Sequence, residues 1–388
     1  MTEVFSSPSQ VDVDESTSIN DLLSQRVLTK GAEPLFERQA GLGDHWVPVS
    51  AASFLEQIQE LARGLVASGV QVGDRVAIMC RTRYEWTALD FAIWAAGAVP
   101  VPVYETSSAD QVQWIMADSE VTLAFVETAG HGAVVAEAAK DLPSLRETLI
   151  IDEDALDTLR KRGADIDLAE VTKRSDAVQG HDLATIIYTS GTTGRPKGAE
   201  LTHWNFVYLT RNGVADLPEV CGEGKRTLLF MPLAHVFARF IQVLCVTSGA
   251  VMGHTPDTRN LLPDLASFKP TFLLAVPRVF EKVYNSSEQK AGSGFKLKLF
   301  RWAAKVSIET SRAWDSGRPV PFGLKVSHQI ASILIYNKLR TALGGAAEFA
   351  ISGGAPLGER LRHFYRGIGL PIFEGYGLTE TCAPTMVN

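Results

Sequence analysis

The stretch Tyr188-Thr-Ser-Gly-Thr-Thr-Gly-Arg-Pro-Lys-Gly198 packs four hydroxyls, three glycines and a lysine into eleven residues. Thr189, Ser190, Thr192 and Thr193 offer short hydroxyl donors, while Gly191 and Gly194 let successive backbone N–H groups turn toward one anion. Lys197 adds a mobile positive charge. Together they form a grip for a polyphosphate. The pattern is not a Walker A loop, which requires G-x-x-x-x-G-K-[ST]. Here Gly191 and Gly194 stand three apart, and Lys197 is followed by Gly198. Pro196 also disfavours helical backbone at Arg195. A P-loop kinase or GTPase is therefore a poor reading. A turn without function would need neither the lysine nor the hydroxyls.

Composition narrows the setting of that loop. The 388 residues carry 37 Lys+Arg against 44 Asp+Glu, a formal net charge of −7. Such acidity argues against a nucleic-acid binder, which needs a basic face for phosphates. Any anionic substrate must find its positive potential locally. A composition 46% hydrophobic and 21% charged excludes disordered, collagen-like and coiled-coil classes. Cys80, Cys221, Cys245 and Cys382 form no C-x-x-C pair, the pattern of reduced thiols in a cytosolic protein. There is no H-E-x-x-H either, so a zinc site is not expected. The first twenty residues are acidic and polar and contain no apolar signal core. The apolar stretch 91–104 is broken by Gly97, Pro100 and Pro102 and is too short to span a membrane. The expectation is a soluble, cytoplasmic protein.

The elements that must carry the loop read as α/β. Continuous apolar runs predict buried strands at 75–80, 99–103, 122–126, 148–152, 184–188, 227–231, 271–276 and 348–352. Between them lie helices, as where Phe54, Ile58, Leu61 and Leu65 share a face and Gly69 marks a stop. Alternation of this kind implies right-handed crossovers and mostly parallel sheets. We expect a polar extension over 1–24 and a first α/β lobe over 25–180. A second lobe over 181–388 would carry the phosphate loop, with a seam near Gln179–Asp182. The segment 285–345 departs from the rhythm. Phe295, Leu299, Trp302 and Val306 recur at helical spacing with Lys296, Lys298, Arg301 and Lys305 interleaved, and a second helical run covers 326–339. That pattern fits a helical hairpin packed on the second lobe, and also a basic amphipathic surface resting on an anionic membrane.

The segment 188–198 resembles the phosphate loop of the adenylate-forming superfamily of acyl-CoA synthetases, luciferases and adenylation domains. Ser352-Gly-Gly-Ala-Pro356 is similar to that family's adenine-side turn, and Phe373-Glu-Gly-Tyr-Gly-Leu-Thr-Glu380 to its nucleotide and metal motif. The resemblance runs from about Leu35 to the last residue. It implies two stacked, mostly parallel α/β lobes, a layered αβαβα arrangement. It also implies a nucleotide site made of the loop together with Gly353, Gly354, Ala355, Pro356, Glu374, Gly375, Tyr376, Gly377 and Thr379. In that reading Tyr376 lies against the purine, Thr379 donates to the α-phosphate and Glu380 holds Mg²⁺ as a hard oxygen ligand. His235, in Met231-Pro-Leu-Ala-His-Val-Phe-Ala-Arg239, occupies the family's position at the acyl carboxylate. Arg239 either joins it or pairs with a carboxylate of the protein. Lys197, His235, Thr379 and Glu380 are then the catalytic set.

The reaction so implied has two halves. A carboxylate oxygen attacks the α-phosphorus of ATP and expels pyrophosphate; the thiol of CoA then displaces AMP from the acyl-adenylate. The Pro232–Phe237 run, the segment Val276–Lys282 and the insertion before Ser352 resemble bacterial long-chain fatty acyl-CoA synthetases. An apolar tunnel suits such a chain, since each buried CH₂ contributes about 0.8 kcal/mol; Val276–Phe280 and Ile241–Val246 are candidates to line it. Two other readings fit the same motifs: an adenylating enzyme for another acid, or a non-catalytic nucleotide- or acyl-binding module. Family members continue past the position matching Asn388. The resemblance therefore implies that a barrel subdomain is incomplete here and that the C-terminal lid domain, with its lysine, is absent. The expectation is a fragment with little activity alone.

Overall fold

A computed structural model of the chain describes residues 10–39, 45–189, 194–317 and 319–387. They fall into two compact units, the first built from 10–38, 47–224 and 231–256, the second from 225–230 and 257–387 with the short segment before residue 47. Residues 183–224 pack with the first unit, so the units divide elsewhere than at 179–182.

Four parallel strands form the sheet of the first unit, in the order Val99–Val103, Arg75–Met79, Val121–Val126 and Glu147–Ile150. The first three are largely apolar and buried, as strands covered on both faces should be, whereas Glu147–Ile150 buries only Leu149. Val76, Ala77, Ile78 and Met79 are fully buried, and so are Val101 and Val103. The helix Ala51–Ala67 starts at Ser50, whose side chain accepts from the backbone N–H of Ser53. Phe54, Ile58, Leu61 and Leu65 form its buried face as their spacing predicts. Gly69 follows the end of this helix at φ +80°. The 148–152 run ends early as a strand because Ile151–Glu153 turn into a 3₁₀ segment. Pro34–Gln39 and Val251–His254 pair in parallel at the centre of another sheet.

The second unit holds a sheet in the order Phe272–Ala275, Phe349–Gly353, Ile372–Leu378 and Ala383–Val387, parallel except for the last pair. The helices Pro277–Lys290 and Phe295–Asp315 follow its first strand. Phe295–Asp315 packs on Glu359–Gly367, where the Ser307 hydroxyl donates to the Phe364 carbonyl at 2.7 Å. Close approach there admits only glycine at 367, since a Cβ would meet the Ser307 carbonyl at 2.2 Å. The second helical run spans Phe322–Ala331, a π turn at Ser332–Tyr336 and Asn337–Ala342. Helices thus occupy most of 285–345. The buried face of Phe295–Asp315 is set by Phe300, Ala303, Ala304 and Val306, while Phe295 and Trp302 point outward.

Candidate functional site

The two arms of the phosphate-loop sequence lie on paired strands. Strand Leu183–Thr189 pairs antiparallel with Lys197–Thr202, and Thr189 faces Lys197 across the ladder. That register follows from the apolar run Ala184–Tyr188, whose Ile186 and Tyr188 join the core of the first sheet. Opposite them Gly198 is required, because a Cβ there would lie 2.7 Å from Ile186 Cγ2. Ser190, Gly191, Thr192 and Thr193 lie outside the described residues. Both arms of the hairpin are tied down. The Tyr188 hydroxyl donates to Asp118 Oδ2 at 2.6 Å, and Trp114 Nε1 donates to the Pro196 carbonyl at 2.8 Å. The Arg195 guanidinium lies 4.6 Å from the centroid of the same indole. Gly194 takes φ +144°, backbone that favours glycine. Lys197 is exposed and makes no ion pair among the described residues, so its ammonium is available to an anion.

His235 is the N-cap of the helix Val236–Ser248, also in the first unit. Its Nδ1 accepts the Phe237 N–H at 3.2 Å. Although its outer edge reaches solvent, desolvation holds the imidazole below the ordinary histidine pKa. The ring is thus neutral at pH 7, and with Nδ1 accepting, its proton sits on Nε2. Nε2–H can donate to a carboxylate. Arg239 takes the structural alternative: it is fully buried and pairs with Asp90 at 2.5 Å. Ile241–Val246, offered as tunnel wall, are buried core of the same helix, whereas Val276 is exposed and Phe280 buried in the second unit.

The remaining candidates belong to the second unit, at the carboxyl edge of its sheet. Ligands of open α/β sheets bind outside such edges. The parallel register sets Ser352 beside Glu374 and Gly353 beside Gly375. Gly354, Ala355 and Pro356 continue past the strand end as an exposed turn, with Gly354 at φ +81°. One carboxylate oxygen of Glu374 accepts the Leu357 N–H at 3.2 Å, so this residue shapes the turn as well as edging the site. Tyr376 is 62% exposed, its ring free to lie against a flat ligand. Gly377 sits at a bulge where any Cβ would fall 1.7 Å from the Ala383 carbonyl. Thr379 and Glu380 occupy the 3₁₀ turn Thr379–Thr381, closed by the Leu378 N–H donating to Thr381 Oγ1 at 3.0 Å. Glu380 is exposed and has no hydrogen bond or ion pair among the described residues.

No group of three or more His, Cys, Asp or Glu among the described residues could hold a metal by itself. A lone hard carboxylate at Glu380 fits Mg²⁺, which commonly takes one or two carboxylates and completes its shell with substrate phosphates and water. Sequence reasoning missed Trp114, which tethers Pro196, and Asp90 and Thr185, which hold Arg239 on the helix that His235 caps. No local pattern marks them.

Mostly parallel α/β sheets in each unit, with the Thr189–Lys197 strand pair in one and the Gly-Tyr-Gly strand in the other, match the features that the adenylate-forming resemblance implies. The chain matches the AMP-binding enzyme family over residues 30–388 and belongs to that family. It is 51% identical over 346 residues to the long-chain-fatty-acid–CoA ligase FadD15 of Mycobacterium tuberculosis (strain H37Rv), covering 88% of this chain and 58% of that protein. It is 30% identical over 393 residues to long chain acyl-CoA synthetase 3 of Arabidopsis thaliana, covering 96% of this chain and 56% of the other. The chain thus spans somewhat over half the length of these relatives. Among solved structures, the anthranilate CoA ligase AuaEII with anthranoyl-AMP superposes with a TM-score of 0.72 at 16% identity, covering 97% of this chain and 62% of that one. The N-terminal domain of FACL13 from Mycobacterium tuberculosis gives 0.68 at 20% identity, covering 96% and 78%. These likenesses establish the fold. No described helix is long and apolar enough to cross a membrane.

Proposed function

We propose that the chain is the nucleotide- and acid-binding part of an ATP-dependent long-chain fatty acid–CoA ligase that works in the cytoplasm. The observation that carries this reading is the exposed Lys197, with no ion pair among the described residues, set across from Thr189 where the two strands flank the hydroxyl-rich sequence. In the first half-reaction a fatty carboxylate meets a triphosphate, two anions, so charge neutralisation dominates the barrier. Lys197 and the loop amides bind the phosphates. His235 donates from Nε2 to the acid and orients it. Tyr376 stacks on the adenine, and the Thr379 hydroxyl donates to the α-phosphate. Glu380 holds Mg²⁺, which when bound neutralises phosphate charge. CoA then takes the acyl group and AMP leaves. Identity of 51% to a protein named for long-chain fatty acids favours that substrate over aryl or short-chain acids.

Titration with palmitoyl-sulfamoyl-adenosine, an unreactive acyl-adenylate mimic, tests the reading. Saturable binding is expected, weakened about tenfold or more by Lys197→Ala as a charge-assisted contact is lost. Absence of binding, or stronger binding of an aryl analogue, overturns it.

A peripheral contact with the inner face of a membrane belongs to the same reading. Phe322 is 82% exposed, Phe295 78% and Ile333 71%, on helices that also present Lys296, Lys298, Arg301 and Lys305. Apolar side chains with basic neighbours suit an anionic lipid surface, where the fatty acid is collected.

A further inference from the structure

Arg239 links the two elements of the first unit that carry the candidate chemistry. Its backbone N–H donates to the His235 carbonyl at 3.3 Å, closing the first turn of the helix that His235 caps. Its side chain leaves that helix in two directions. One guanidinium nitrogen, Nη2, donates to Asp90 Oδ1 at 2.5 Å. The other, Nη1, donates to the Thr185 hydroxyl, which itself donates to the Pro100 carbonyl at 2.8 Å. Thr185 lies on the strand that ends at Thr189, an even number of residues before it and so on the same face. The second Asp90 oxygen accepts from Gln242 Nε2 at 2.8 Å, one turn further along the same helix. The rings of Trp86 and Trp94 lie 5.4 and 5.2 Å from the guanidinium carbon. Every member of this set is buried.

A buried ion pair is poor value as a source of stability, because apolar residues of similar volume often serve as well or better. What it supplies is direction: a planar guanidinium accepts partners only along fixed N–H vectors. Here those vectors fix the helix bearing His235 against the strand feeding the phosphate hairpin. We propose that Arg239, through Thr185 and Asp90, is a positioning residue that sets the spacing between the carboxylate held at His235 and the phosphates held at Lys197. Arg239 touches neither ligand. The inference rests on the ligase reading above and adds to it the residue that holds acid and nucleotide at reacting distance, where a displacement of about 1 Å can cost roughly 100-fold.

Thr185→Val removes the link to the hairpin strand and leaves the Asp90–Arg239 pair in place. The chain and this variant are each titrated with AMP, with palmitate, and with palmitoyl-sulfamoyl-adenosine, which joins the two ligands at fixed length. Unchanged affinities for AMP and palmitate are expected, with roughly 10- to 100-fold weaker binding of the joined analogue. Thr185→Ser, which restores the hydroxyl, should bring that affinity back. A merely structural role would weaken all three ligands together, and that result, or an unchanged analogue affinity, overturns the inference while leaving the ligase reading standing. A parent chain that binds neither AMP nor the analogue sinks the ligase reading first and the inference with it. Should Thr185→Val lose cooperative melting, the paired change Asp90→Asn with Arg239→Met is put through the same comparison and decides it by the same outcomes.

Discussion

The functional positions of the two units are held in opposite ways. In the first, His235 and the phosphate hairpin are locked from beneath by buried polar groups: Asp90, Arg239, Gln242 and Thr185 form one connected set sealed by two indoles. In the second, Tyr376, Thr379 and Glu380 lie on a strand end and turn held mainly by backbone register and by Gly377, which has no room for a Cβ. Side-chain locks suit groups that must stay at set distances from each other. Backbone clamps suit a surface that receives a large flat ligand and lets it leave.

The first unit should accordingly fail in larger steps. Arg239→Met alone strands Asp90 as an uncompensated buried carboxylate and should cost about 3–5 kcal/mol, read from urea unfolding. The paired change with Asp90→Asn should recover most of that loss. If the single and paired variants unfold alike, the buried pair is not what locks the unit. Acid comes next. Burial lowers His203 to about 3 and His254 to about 4. Each folded pKa lies below the unfolded value near 6.5, so the unfolded chain binds more protons and stability falls as pH drops below 6.5. Between pH 7 and 5 each ring should remove about 2 kcal/mol. His254→Gln should flatten the pH profile of melting by that amount. A profile unchanged by the substitution would mean that His254 titrates normally in the fold.

Much of this was readable from residues close together in the chain. The described ends of 188–198, Tyr188 and Thr189 on one strand and Lys197 and Gly198 on its partner, pair with each other, and a local pattern suffices to mark a local element. Long apolar strands were equally plain. Three strands were not: Lys197–Thr202 is polar, Ile372–Leu378 is interrupted by two glycines and Ala383–Val387 by a proline, and only their pairing makes them strands. Helical spacing at Phe295, Leu299, Trp302 and Val306 announced a helix but not its buried side, which the partner helix Glu359–Gly367 selects through Ser307 and Gly367. The locks were least legible. Arg239 and Asp90 stand 149 positions apart, and Trp114 reaches Pro196 across 82. Arg239 could be read as a carboxylate partner, but nothing local names the carboxylate.

The smallest expected effect falls on the loop arm itself. Trp114 is half-buried on the helix Ala109–Asp118 and holds the returning arm twice, through Nε1 to the Pro196 carbonyl and through its face to Arg195. Trp114→Phe keeps a ring against the arm but loses the N–H donor, and it weakens the cation–π contact because phenyl is the poorer partner. The lost hydrogen bond is worth about 1 kcal/mol. Neither loss touches His235 or the Asp90–Arg239 set. The variant should therefore melt close to the parent and bind palmitate as before, while its affinity for ATP falls by about fivefold. A side-chain lock under the hairpin predicts that selectivity. If ATP binding is unaffected, Lys197 is placed by the strand ladder alone, and the two units differ less in how they hold their ligands than the buried contacts of the first suggest.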